Sequence, residues 1–160
     1  MTATNHALTG AAIALAVKKP EFAIPLAFIS HFVLDALPHY EPKGIQSGLN
    51  SGIQKMKNPA FKIFLATDIF LFIIILTGGP IAFSNHVQWW LILVCSFLGA
   101  APDLTWGRHF YRAKIGKKII NPSSLSRFHI WVQWMERPWG IIVELVWFIL
   151  MVWLVDNLIG

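Results

Sequence analysis

Apolar residues come in long blocks separated by short polar links, and the block lengths decide what each can be. A helix needs about 20 apolar residues to cross a bilayer core of about 30 Å. Three blocks pass that test: about 61–76, 87–104 and 140–159. Two earlier blocks, about 7–17 and 22–37, are shorter. Only Lys18-Lys19-Pro20-Glu21 separates them, which predicts a tight helical hairpin that spans with local thinning or dips partway into the bilayer. The link 38–60 is rich in Gly, Asn, Ser, Pro and Lys, the chemistry of a loop, with one short helical turn near 53–57. Further on, Ser123 or Ser124 can cap a helix running to about Glu136. It sets Leu125, Phe128, Val132 and Met135 on one side with Trp131 and Trp134 nearby, the pattern of a helix lying in a membrane interface. The predicted fold is an all-α polytopic membrane bundle of one domain over residues 1–160: three clear spans, a short N-terminal hairpin and an interfacial helix.

Composition sharpens this. Hydrophobic residues make up 56% of the 160 positions and charged residues 13%, with 8 Trp and 12 Phe, more apolar surface than a soluble domain of this size can bury. Cys95 is the single cysteine, so an intramolecular disulfide and a thiolate-only metal site are excluded. The N-terminal Met-Thr-Ala-Thr-Asn-His has no positive stretch ahead of its apolar block, so the first segment reads as retained. Basic residues gather in two links, Lys43, Lys55 and Lys57 in one and Arg108, Arg112, Lys114, Lys117, Lys118, Arg127 and Arg137 in the other, whereas 78–86 has none. By the positive-inside rule both basic links are cytoplasmic, which puts the N-terminus inside, the C-terminus outside and the chain in the cell inner membrane, with Lys18 and Lys19 in the minority. A net charge of +5 suits anionic membrane lipid, and no nucleic-acid-binding signature is present. Oligomeric state has no signal in the sequence.

The sharpest chemistry is Ser30-His31-Phe32-Val33-Leu34-Asp35-Ala36-Leu37-Pro38-His39. His31 and Asp35, four apart, share one helix face. Pro38 disfavours a helical Leu37, so His39 falls just past the helix end, where it can turn toward the same point. Two imidazoles and a carboxylate at this spacing suit Zn, Mn or Fe, while the plain alternative is a polar helix end with solvated histidines. Ionisable groups at membrane depth favour the functional reading. The topology then predicts which polar residues share that side: His6, Asp68, Asp103 and His129, with Glu144 a weaker member. Each has a structural alternative as well: a solvated terminus for His6, a helix-packing pair for Asp68, a turn residue for Asp103, and for His129 an amphipathic face shared with Gln133 and Glu136. His86 falls on the opposite side, and His109 sits among basic residues.

The early His6, the run Ser-His-x3-Asp-x3-His, Pro102-Asp103 and His129 resemble, in order, the membrane-bound predicted metal-dependent hydrolases of the LexA-regulated type. A more distant similarity is to the helical zinc phospholipase C and nuclease group, which also uses His-x3-Asp on helices. The first resemblance implies a helical membrane protein with a His/Asp metal site. After Pro102-Asp103 the chain carries Leu104-Thr105-Trp106 where the pattern has a further Asp and His, and no Thr-His-Ser element follows, so nothing carries over to a second metal.

Two functions follow. One is a hydrolase with a divalent cation, Zn or Mn, on His6, His31, Asp35, His39, Asp103 and His129, with Asp68 or Asp103 as base. Its substrate would be an anionic phosphoester or lipid head group, clamped by Arg108, Arg127 or Arg137. The other is a non-enzymatic membrane protein, either a metal or proton carrier or a structural bundle. A carrier should string ionisable groups along a path through the bilayer, whereas here they gather on one side.

Overall fold

A computed structural model describes residues 1–41, 57–104 and 123–160, with positions 107, 111 and 115. The turn expected near 53–57 falls almost wholly outside the described residues, as do Arg108 and His109. The rest is mostly helical: α1 (Ala3–Val17), α2 (Pro20–Asp35), α3 (Pro59–Ala82), α4 (Trp89–Ala100) with a 3-10 turn over Ala101–Asp103, α5 (Ser124–Val132) and α6 (Gly140–Ile159). Two short strands, β1 (His39–Tyr40) and β2 (Glu136–Arg137), pair in parallel, His39 opposite Glu136 and Tyr40 opposite Arg137.

The first two helices form the tight hairpin that their link predicts. Lys18 closes α1 in the left-handed region, its N–H returning to the Ala14 carbonyl. Lys19 is extended, as the residue before proline prefers, and Pro20 opens α2, where its missing N–H costs nothing. At the other end Pro38 stops α2 at Asp35, two residues short of the expected end. Asn58 caps α3 by accepting from the Ala60 and Phe61 N–H groups, and Pro59 takes the first helical position.

Helix α1 is the axle of the bundle. Its small residues lie against α2 and α4, where Ala11, Ala14, Ala23, Ala27, Leu91, Ile92 and the free Cys95 form one buried cluster. Its other side meets α6 through Ala12, Leu15, Met151 and Val155. Polar bonds reinforce that second contact: Trp147 Nε1 donates to Thr9 Oγ1 at 3.0 Å, and Asn5 Nδ2 to the Glu144 carbonyl at 3.0 Å. Glycine permits the α1–α4 crossing. A Cβ on Gly10 would sit 2.2 Å from the Cys95 carbonyl oxygen, and one on Gly99 2.5 Å from that of His6.

Two helices, α3 and α6, are long and apolar enough to cross a membrane. None of the most apolar stretch of α3 is buried inside the bundle, and 17% of that of α6 is. Water is a poor solvent for such faces, so neither is the hidden core helix of a soluble protein. The block at 87–104 is shorter than the sequence suggests. Its α-helix has 12 residues before the 3-10 turn that Pro102 enters, so it does not join α3 and α6 in length.

Candidate metal centre

His31 and Asp35 lie on the last turn of α2, both fully buried. The His31 Nδ1 lies 2.8 Å from the Gly99 carbonyl oxygen. A carbonyl only accepts, so Nδ1 carries the proton and Nε2 presents its lone pair. That lone pair faces three groups: His129 Nε2 at 3.0 Å, Asp35 Oδ2 at 3.3 Å and Asp103 Oδ1 at 3.9 Å. His129 Nε2 in turn lies 2.7 Å from Asp35 Oδ2 and 3.5 Å from Asp103 Oδ1. These four donors, from α2, the 3-10 turn and α5, all fall within 4.8 Å of one another.

Three of these separations, 3.0, 3.3 and 3.5 Å, suit a shared cation, while those of 2.7 and 3.9 Å would shift by a few tenths of an ångström to hold one. Bonds of about 2.0–2.2 Å from nitrogen and oxygen to Zn place neighbouring donors roughly 3.0–3.5 Å apart. Two carboxylates with two neutral imidazoles are a donor set that suits a divalent ion, and the Met1 ammonium on Asp35 Oδ1 already offsets one of the two negative charges. Asp103 is the open member, with its side chain 32% exposed.

The other side of Asp35 is held by protein. His6, fully buried on α1, donates from Nε2 to Asp35 Oδ1 at 3.0 Å and stacks on the His31 ring with centroids 4.1 Å apart. The Met1 nitrogen also reaches Oδ1. Gln133, one turn after His129, donates its amide to Asp35 Oδ2 at 3.0 Å. Sequence reasoning placed Gln133 only on an amphipathic face; its spacing of four from a candidate ligand was the available signal.

The remaining expected site residues stand elsewhere. His39 turns away: its Nδ1 donates to the Leu37 carbonyl and its Nε2 faces Glu136 Oε1 at 3.7 Å, because the chain beyond Pro38 enters the β1–β2 pair. Asp68 accepts from the Ala3 and Thr4 N–H groups, both at 2.9 Å, while Thr4 Oγ1 donates to its carbonyl. Glu144 accepts from the N–H groups of Thr2 and Tyr40. Two carboxylates from α3 and α6 thus satisfy amides at the start of α1, which has no cap from its own side chains. We expect Asp68→Asn to lower stability by about 1–2 kcal/mol, the worth of a helix cap, with cation affinity changed less than about threefold. Denaturation in detergent alongside a metal titration checks both.

No family model, curated protein or solved structure matches the chain. The His/Asp cluster therefore stands on its own geometry. Among the described residues it is one buried group, with the lone pair of His31 fixed from behind by backbone and Asp35 held on its far oxygen by His6. Metal-binding histidines and carboxylates are oriented in this way.

Proposed function

We propose that the chain is a membrane-embedded metal-dependent hydrolase that cleaves an anionic phosphoester, in keeping with the family that its motifs resemble. The observation that carries this reading is the convergence of His31 Nε2, Asp35 Oδ2, Asp103 Oδ1 and His129 Nε2 from three separate segments. A divalent cation there, Zn or Mn, would lower the pKa of a bound water toward about 7 and stabilise charge developing on the substrate. The Gly99 carbonyl holds His31 in the tautomer that binds. His6 and Gln133 fix the Asp35 carboxylate from both sides. Asp103, at the open edge, takes the proton from the attacking water, a role for which Asp68 is poorly placed because both its oxygens already accept from α1. Arg127, two residues before His129 and exposed, supplies positive charge for an anionic substrate.

Lys57 and Lys62 stand at the start of α3, whose Asp68 meets the start of α1, and Arg127 and Arg137 lie in and after α5, so the positive-inside rule favours a cytoplasmic site, with the N-terminus inside, the C-terminus outside and the chain in the inner membrane. Among the described residues the buried ionisable groups gather at one end of the bundle, which suits a site better than a conduit.

The test is metal analysis of the full chain, stripped with chelator, reloaded with Zn or Mn and assayed on soluble and lipid phosphoesters. We expect about one equivalent retained and metal-dependent hydrolysis of the ester bond. Retention of a small fraction of an equivalent, unchanged in His31→Ala, would sink the reading.

A further inference from the structure

Helix α5 has nine residues. Isolated helices shorter than about 12 residues are marginal in water, so its surroundings decide whether it forms. Its inner face is Ser126, His129 and Val132, and the ring of Phe128 meets Phe32 of α2 at 5.1 Å. Its outer side is apolar and uncovered: Trp131 is 74% exposed, Trp134 just beyond the helix 66%, and Leu125 and Phe128 are exposed too. This helix nonetheless supplies His129, a quarter of the candidate cation site, and Gln133 follows at its end.

The occupant of that outer side is set by what surrounds it. Ile29 and Val33 on the outward face of α2 are also exposed, and α6, long and apolar enough to cross a bilayer, begins at Gly140 a few residues on. Exposed tryptophans beside Arg127 and Arg137 match the boundary between acyl chains and anionic head groups, where indole sits at its polar edge and arginine meets phosphate.

Resting on the metal-site reading above, we propose that the lipid interface seats α5 and thereby completes the cation site through His129. Cation binding and seating of α5 are then one linked equilibrium: lipid under Trp131 and Trp134 raises cation affinity, and by reciprocity the cation holds α5 on the membrane. A site of this kind is assembled where a lipid phosphate head group is at hand and loosens when α5 lifts off the interface.

The test uses the full chain in vesicles of phosphatidylcholine and phosphatidylglycerol, with Mn2+ titrated by the paramagnetic signal of the free ion and hydrogen exchange followed over residues 124–132. In the wild type, Mn2+ slows exchange in α5. The double variant Trp131→Gln/Trp134→Gln, altered only at exposed positions, binds Mn2+ about tenfold more weakly and gains less protection, while Trp131→Phe/Trp134→Phe stays within about threefold of wild type. Wild-type Mn2+ affinity in the Gln variant overturns the linkage and leaves the metal site standing. A wild type that binds no Mn2+ overturns the metal site and the linkage with it. If the Gln variant instead changes the oligomeric state with no effect on exchange in α5, the face belongs to a second copy of the chain and the lipid proposal is wrong.

Discussion

Asp35→Asn is expected to cost the chain its divalent cation, with affinity for Mn2+ or Zn2+ falling by more than about a hundredfold. Groups that merely orient a metal ligand are worth about 10–100-fold, and Asp35 both presents an oxygen and supplies half of the carboxylate charge. Asparagine keeps the shape and volume, so the loss reports charge and hydrogen-bond polarity. Oδ2 faces His31, His129 and Gln133 while Oδ1 accepts from His6 and the Met1 ammonium. An amide nitrogen at either position confronts a donor or gives up the charge. The same change should lower the stability of the metal-free chain by about 3 kcal/mol, because partners assembled around a buried charge are left without it. The two effects separate by experiment: Mn2+ titration reads the first, and denaturation in detergent with chelator present reads the second. Should Asp35→Asn retain the ion at wild-type affinity, the cluster is packing and the proposed hydrolase has no centre.

The heart of the site was legible because its signal is local. A spacing of four puts His31 and Asp35 on one helix face whatever the tertiary structure, and the order of apolar blocks together with the charge of their links points to the start of α1, the end of α4 and the α5 segment at the same end of the bundle. What stayed hidden depends on contacts between segments. Asp68 looks like a membrane-depth carboxylate in search of a function until α1 is laid beside it with unsatisfied amides at Ala3 and Thr4. His39 continues the helical spacing on paper, but Pro38 ends the helix, and the parallel pairing with Glu136 that takes over is set by residues almost a hundred positions away. Pro102 likewise hid the true length of α4: the apolar block runs on through it while the α-helix does not. Gln133 was passed over because an amide is a poor beacon in an amphipathic segment; it matters only once His129 is known to face inward.

Gly99→Ala is expected to damage both the fold and the site. On helix propensity alone, alanine for glycine inside a helix should stabilise by about 1 kcal/mol. At Gly99 the added Cβ would stand 2.5 Å from the His6 carbonyl oxygen, a backbone atom that cannot rotate away, so α1 and α4 must separate. Overpacking of this kind costs about 1–3 kcal/mol, enough to reverse the propensity gain. Separation also acts on the site twice, because the Gly99 carbonyl fixes the tautomer of His31 and α1 carries His6 onto Asp35. Gly10→Ala is the control. Its Cβ would press harder still, 2.2 Å from the Cys95 carbonyl oxygen, but one turn farther from the cluster. Both variants should therefore unfold more readily than wild type, while Gly99→Ala alone should bind Mn2+ at least about tenfold more weakly. Equal loss of affinity in the two would mean that the site simply follows global stability. Wild-type stability in both would mean that α1 and α4 do not cross this closely, and the route by which His6 reaches Asp35 would have to be redrawn.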